Sequence, residues 1–292
     1  MRLEGIVVAV HGRQYRVVLP GGPDLLCFTR GKKSEYACGD RVAVARSGDG
    51  LGVIETCLPR RTLFYRSNAF REKLIAANVS QVIIVVACEP SFSDELVTRS
   101  LVAAEAAGVK ALIVLNKCDL GDRIDAARRA LQPFLDLGYP VVPLSARGDV
   151  SVLRASLAEH DSVLVGQSGM GKSTLINALL PDANAATREI SLALDSGKHT
   201  TTHATRYQLD QSSSLIDSPG LQDFGLGHLS REEIDSAFPE LRPLLGQCRF
   251  RDCHHDREPG CVVQAALQAG RINARRFVAY RGLCGELDTV RY

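Results

Sequence analysis

The sequence predicts a multidomain chain with an N-terminal OB-like β-barrel, a central α/β domain and a mostly helical C-terminal domain built around a metal site. Three observations predict it. Short strands separated by turns fill residues 1–58. Continuous apolar runs then alternate with helical patterns, the mark of a parallel sheet covered on both faces. From about residue 229 the strand pattern stops, and three cysteines and two histidines crowd into 248–261. The expected boundaries are 1–60, 69–228 and 229–292, with a linker from Pro59 to about Asn68.

Each element has its own signal. GIVVAVHGRQYRVVLP alternates and breaks at Gly12; GGPDLLCF follows a Gly-Gly-Pro turn; DRVAVAR and GLGVIETCL flank a Gly-Asp-Gly turn. About five strands in so short a span fit an OB-like barrel. QVIIVVA at 81–87 is a continuous apolar run, as a buried parallel strand requires. SDELVTRSLVAAEAAG is a helix, with Ser91 and Asp94 as a capping box and Gly108 as its stop. KALIVLNK, YPVVPLSA, DSVLVGQSG and SSSLIDSPG are further strands, and KSTLINALL is a helix. Short helical segments make up the rest.

Composition narrows the class. The chain has 292 residues, 45% hydrophobic and 23% charged, which describes a soluble globular protein. Its longest purely apolar run, 82–88, is seven residues, whereas a spanning helix needs about 20. The N-terminus lacks the long apolar region of a signal peptide. A cytoplasmic protein without membrane contact is expected. Nine cysteines fit no disulfide scaffold; Cys27, Cys38, Cys57, Cys88 and Cys118 read as reduced thiols. Residues 1–66 carry 11 Lys and Arg against 6 Asp and Glu, while 67–228 carry 14 against 18. The basic excess thus lies at the N-terminus, which points to an anionic partner there.

The chemistry is in the loops. GQSGMGKS (166–173) stands between an apolar strand and a helix, the context a phosphate loop needs. Its backbone N–H groups from Gly166, Gln167, Ser168, Gly169, Met170 and Gly171 would curl around phosphates, and the helix N-terminus adds partial positive charge. Lys172 would reach the β- and γ-phosphates; the Ser173 hydroxyl would ligate Mg²⁺, with Thr174 beside it. DSPG (217–220) ends another strand, so Asp217 would hold Mg²⁺ through water and the Gly220 N–H would meet the γ-phosphate. LNKCD ends a third strand. Asp119 can accept both N1–H and N2–H of guanine, a pair adenine does not offer. Asn116 would bond the purine's other edge, Lys117 would lie over the ring, and Cys118 completes the loop. In SAR (145–147), Ser145 precedes Ala146, whose N–H would meet guanine O6.

These motifs run in an unusual order: base loop first, phosphate loop second. In an open α/β sheet the ligand loops all sit at the C-terminal ends of strands, so the site depends on spatial and not sequential order. The domain is therefore a circularly permuted P-loop GTPase. GKHTTTH (197–203) falls where switch I belongs, and a hydroxyl from Thr200–Thr202, with Thr201 preferred, would complete the Mg²⁺ shell. Leu221 occupies the position after DSPG where many GTPases place a water-orienting Gln. Hydrolysis is then either intrinsically slow or assisted by another group, with His199 the candidate.

Cys248-x4-Cys253-x-His255-x5-Cys261 supplies three thiolates and an imidazole, a structural zinc set with no open position. His254 is the neighbouring alternative ligand.

Together these features resemble the ribosome small subunit-dependent GTPase A family over nearly the whole chain: a basic OB-like barrel, NKCD before GQSGMGKS, GKHTTTH, DSPGL and CRFRDCHHDREPGC. The resemblance implies a late-acting factor in maturation of the 30S ribosomal subunit, binding GTP and GDP as a monomer. It also implies contact with 16S rRNA and hydrolysis stimulated by the small subunit. It implies that Cys248, Cys253, His255 and Cys261 bind one zinc and that His199 helps hydrolysis. Two other readings compete with it. One is a GTPase for a protein or transport partner, with the barrel as a protein-binding module; the other is a nucleotide binder without turnover.

Overall fold

A computed structural model describes residues 2–31, 36–67, 72–180, 204–219 and 224–290. Five strands form the N-terminal barrel: β1 (Arg2–His11), β2 (Gln14–Val18), β3 (Leu25–Thr29), β4 (Arg41–Gly48) and β5 (Leu51–Cys57). Their order is β1-β2-β3-β5-β4, and pairing of β1 with β4 closes the ring. The alternation in the sequence decides which side chains point in. Tyr15, Val17, Leu25, Cys27, Val42, Val44 and Ile54 fill the interior, while Leu26 and Phe28 of β3 face out.

The stretch from Pro59, read as a linker, is structured. Strands β6 (Leu63–Ser67) and β7 (Glu72–Ala77) form an antiparallel hairpin. LFYRS is short and half-buried, so its alternation is too brief to separate from a turn-rich connector. Buried Asp40 fastens the connector to the barrel by accepting two bonds from Arg60, at 2.7 and 2.8 Å.

The central sheet contains β8 (Gln81–Ala87), β9 (Lys110–Asn116), β10 (Val141–Pro143), β11 (Asp161–Val165), β12 (Ala204–Gln208) and β13 (Ser214–Asp217). Five of these are parallel, in the order β10-β9-β8-β11-β13. All seven residues of β8 are buried, as its unbroken apolar run requires. The sequence reading did not include β12. It runs antiparallel to β13 and also pairs with β1, at Ala9–Thr205 and Val10–Ala204. The barrel and the central sheet are thus one 11-stranded sheet.

Helices α1 (Asp94–Ala106), α2 (Ile124–Asp136), α3 (Ser151–Leu157) and α4 (Lys172–Leu179) cover this sheet. The N-cap of α1 is Ser93, not Ser91: the Ser93 Oγ accepts the Leu96 N–H at 3.3 Å. After the sheet come α5 (Arg231–Ser236), α6 (Val262–Gln268) and a 17-residue α7 (Ala274–Val290). The C-terminal segment therefore holds a long helix besides the expected short ones. Tyr280 and Phe238 are fully buried there and pack edge-on, with centroids 5.3 Å apart. Among the described residues no helix is long and apolar enough to cross a membrane.

Candidate functional site

Because β8, β9, β10, β11 and β13 are parallel, their C-terminal ends lie along one edge, and the motif loops gather there. Between the loops after β9, β10 and β11 opens a cavity of about 490 Å³. Asn116, Lys117, Asp119, Ser145, Ala146, Ser168, Gly169, Gly171, Lys172, Ser173 and Thr174 line it, all of them predicted. Leu120 and Arg147 line it as well. Sequence reasoning missed both, although each directly adjoins a predicted residue.

Buried Asn116 stitches the three loops together. Its Nδ2 donates to the Met170 carbonyl at 2.9 Å, and its Oδ1 accepts from the N–H groups of Lys117 (2.7 Å) and Ala146 (2.9 Å). The Ala146 N–H expected at guanine O6 is here given to Asn116. The amide nitrogen of Asn116 keeps a second proton for the base edge. Asp119 is exposed, and its hydrogen bond with Ser145 holds its carboxyl below the usual range, ready as an anion to accept two N–H groups. Lys117 adopts φ +61° and donates to the Glu89 carbonyl at 2.8 Å. Cys118 turns away from the cavity: its N–H meets the Leu144 carbonyl and its thiol the Leu115 carbonyl.

The phosphate loop shows why glycine is needed at two positions. At Gly171 (φ +88°) a Cβ would stand 2.4 Å from Asn116 Nδ2, and at Gly166 (φ +148°) one would stand 2.3 Å from the Val85 carbonyl oxygen. Lys172 is buried and donates to the carbonyls of Gly166 (2.7 Å) and Gln167 (2.9 Å). Burial lowers its pKa, while the charge of buried Asp217 raises it. An ammonium with such neighbours gains from an incoming phosphate. Gln167 and Met170 brace the loop from behind, and Gln167 Oε1 accepts the Ser93 N–H at 2.9 Å. His199, Thr201 and Gly220, like Leu221, lie outside the described residues.

The second cluster is in the C-terminal segment. The ligand atoms of Cys248, Cys253, His255 and Cys261 all lie within 4.8 Å of one another. Cys248 Sγ is 3.8 Å from Cys261 Sγ, and His255 Nδ1 is 3.5 and 3.4 Å from those two sulfurs. A tetrahedral ion with ~2.3 Å bonds to sulfur has S–S edges of ~3.8 Å, so the donors fit a bound divalent metal. Burial pushes the Cys253 thiol up to about 12 and lowers the His255 pKa. His255 is thereby the neutral imidazole a metal takes, while the thiols need the metal's charge to ionise. His254 is exposed and falls outside the cluster, engaging instead through its carbonyl, which accepts Arg231 and Arg281.

The geometry agrees with known proteins. A sequence model of the RsgA GTPase family matches residues 57–227. The small ribosomal subunit biogenesis GTPase RsgA of Burkholderia pseudomallei (strain 668) is 52% identical over 295 residues, spanning 99% of this chain and 94% of that protein. Its counterpart in Paraburkholderia xenovorans (strain LB400) is 51% identical over 299 residues, spanning 99% and 95%. The crystal structure of YjeQ from Thermotoga maritima superposes with a TM-score of 0.73 at 31% identity, covering 98% of this chain and 99% of that one. The structure of YloQ, a circularly permuted GTPase, gives a TM-score of 0.69 at 25% identity, covering 99% and 96%.

Proposed function

This chain belongs to the RsgA GTPase family, and from that premise we propose that it hydrolyses GTP during late maturation of the 30S ribosomal subunit. The observation that carries the reading is the cavity where NKCD, SAR and GQSGMGKS converge although the chain presents them in permuted order. In this reading Asp119 and Asn116 select guanine, and Lys172 with the phosphate-loop N–H groups holds the phosphates. Ser173, Asp217 and Thr201 hold Mg²⁺, Gly220 meets the γ-phosphate, and His199 assists the attacking water. One zinc ion sits in Cys248, Cys253, His255 and Cys261; three thiolates and an imidazole leave it no open position, so its role is structural. The functional units are 1–60, 69–228 and 229–292. The protein acts as a cytoplasmic monomer, and its basic barrel faces 16S rRNA.

GTP turnover by the wild type and by His199→Ala, each with and without purified 30S subunits, tests this. A trans-completed site can gain ~10³–10⁵ in rate. The wild type is expected to be stimulated and His199→Ala to bind GTP and subunits but lose most of the stimulation. A wild type indifferent to 30S subunits would overturn the ribosomal reading; full stimulation of His199→Ala would remove only that residue's role.

A further inference from the structure

Helix α1 touches both ends of the molecule's chemistry. At its N-terminus the Ser93 N–H is bound by Gln167 of the phosphate loop. Just before it, the Glu89 carbonyl accepts Lys117 of the base loop. Along its length α1 carries four polar ties to the C-terminal segment. Asp94 pairs with Arg275 at 2.5 Å, Thr98 accepts Arg276 at 3.2 Å, and Glu105 pairs with Arg242. The fourth tie is Arg99, 6% exposed, whose guanidinium binds Glu286 of α7, Glu95 of its own helix and the Phe224 carbonyl beyond DSPG.

We infer that α1 is a rod through which the C-terminal metal-binding unit sets how tightly the nucleotide is held, with Arg99 as its positioning residue. The inference rests on the nucleotide-site reading above. Arg99 touches neither loop of that site. It fixes the helix further along than Ser93, so a loosened α1 transmits its play to the phosphate loop through the Ser93–Gln167 bond. By linkage, whatever grips the C-terminal unit changes nucleotide affinity, and nucleotide changes that grip by the same factor. The carboxylates left by removing Arg99 can hydrate, since the side chains of Glu95 and Glu286 are 63% and 51% exposed. The change therefore leaves no buried carboxylate without a partner.

The test uses the full chain and mant-GDP release followed by fluorescence, with KM and kcat for GTP. Arg99→Met is expected to release mant-GDP about 5-fold faster, the low end of such couplings, and to raise KM with kcat little changed. Arg99→Lys should recover most of the loss. Glu286→Ala, at a residue that does not line the cavity, should shift release in the same direction, and it carries the test if Arg99→Met does not fold. A barrel-core change, Val44→Ala, serves as the stability control and should leave release unaltered. Wild-type release in Arg99→Met, an unaltered rate in Glu286→Ala, or an equal shift in Val44→Ala would each overturn the inference. A wild type that binds no mant-GDP would instead overturn the site reading beneath it.

Discussion

At the scale of single residues, the proposed guanine selectivity would rest on Asp119, which lines the cavity. Ser145 holds its carboxyl ionised and in place, and Asn116 fixes the two loops that flank it. Asp119→Asn replaces one acceptor with a donor, which suits xanthine's additional carbonyl and mismatches guanine's amine. Sites built for a specific hydrogen-bond pair reject the wrong partner by ~10⁴ in favourable cases. Nucleotide titrations should show lost GTP affinity and gained affinity for xanthosine triphosphate; undiminished GTP binding would sink the assignment. Most of this cavity was legible because its residues are tied to motifs whose spacing follows from strand ends. What was not legible was the traffic among the residues themselves. Nothing in NKCD tells that Asn116 spends two acceptor bonds on Lys117 and Ala146, because that depends on how closely the loops after β9, β10 and β11 approach. Arg147 was passed over for the related reason that only the fold shows it facing the cavity.

At the scale of elements, the hairpin β6–β7 is the least expected part, and together with Arg99 of α1 it fixes the chain beyond DSPG. Ser67 N–H donates to the Gly225 carbonyl at 2.9 Å, and Gly227 N–H donates to the Ser67 carbonyl at 3.2 Å. His228 stacks on Tyr65 with centroids 4.0 Å apart, and its Nδ1 lies 3.0 Å from the Ser67 hydroxyl. Burial lowers the His228 pKa, with Glu233 and Glu72 opposing. Its folded value thus lies below the unfolded one of about 6.5. The unfolded chain takes up that proton first, so the anchor is intact above about pH 6.5 and weakens as pH falls toward the folded value. His228→Asn should shrink the fall in Tm between about pH 8 and 5.5; the same pH dependence in both proteins would refute the role. In the helical segment the loop 248–261 obeys a different constraint: it has no helix or strand of its own, so a bound metal would be its staple. Cys253→Ala should cost the metal and speed proteolysis between 229 and 261; the nucleotide cavity, which holds none of these residues, should stay formed, with nucleotide still bound but released faster through α1. Elemental analysis and limited digestion check this, and a native protein without zinc would remove it. The metal set was readable because four donors lie within one loop. By contrast, β12 was unreadable because its two partners, β1 and β13, lie far from each other in sequence.

For the whole molecule, the sharing of one sheet ties the barrel to the central domain through β1 and β12. The cations of the basic barrel that suit rRNA phosphates are Arg13, Arg16, Arg30, Lys32 and Lys33; of these, Arg16 is paired with Asp24 at 2.6 Å and Arg30 with Glu55 at 3.6 Å. Lys32 and Lys33 lie outside the described residues. Fewer phosphates are then neutralised than a count of charges suggests. With three contacts, from Arg13, Lys32 and Lys33, affinity for 30S subunits should fall about 40-fold between 50 and 200 mM salt. Sedimentation of the complex across that range measures the slope, and a flat response would exclude phosphate contacts from the affinity. The strand pairing at Ala9–Thr205 and Val10–Ala204 has a consequence of another kind. A sheet's last strand offers unpaired N–H and C=O groups to any passing chain, and proteins survive by shortening or covering it. One border of the central sheet is β10, only three residues long and ending in Pro143. The other is β12, and β1 lies along it. Among the described residues the barrel is therefore also a cover on the longer border of the central sheet, so the strands proposed to meet rRNA would at the same time guard the molecule against self-aggregation.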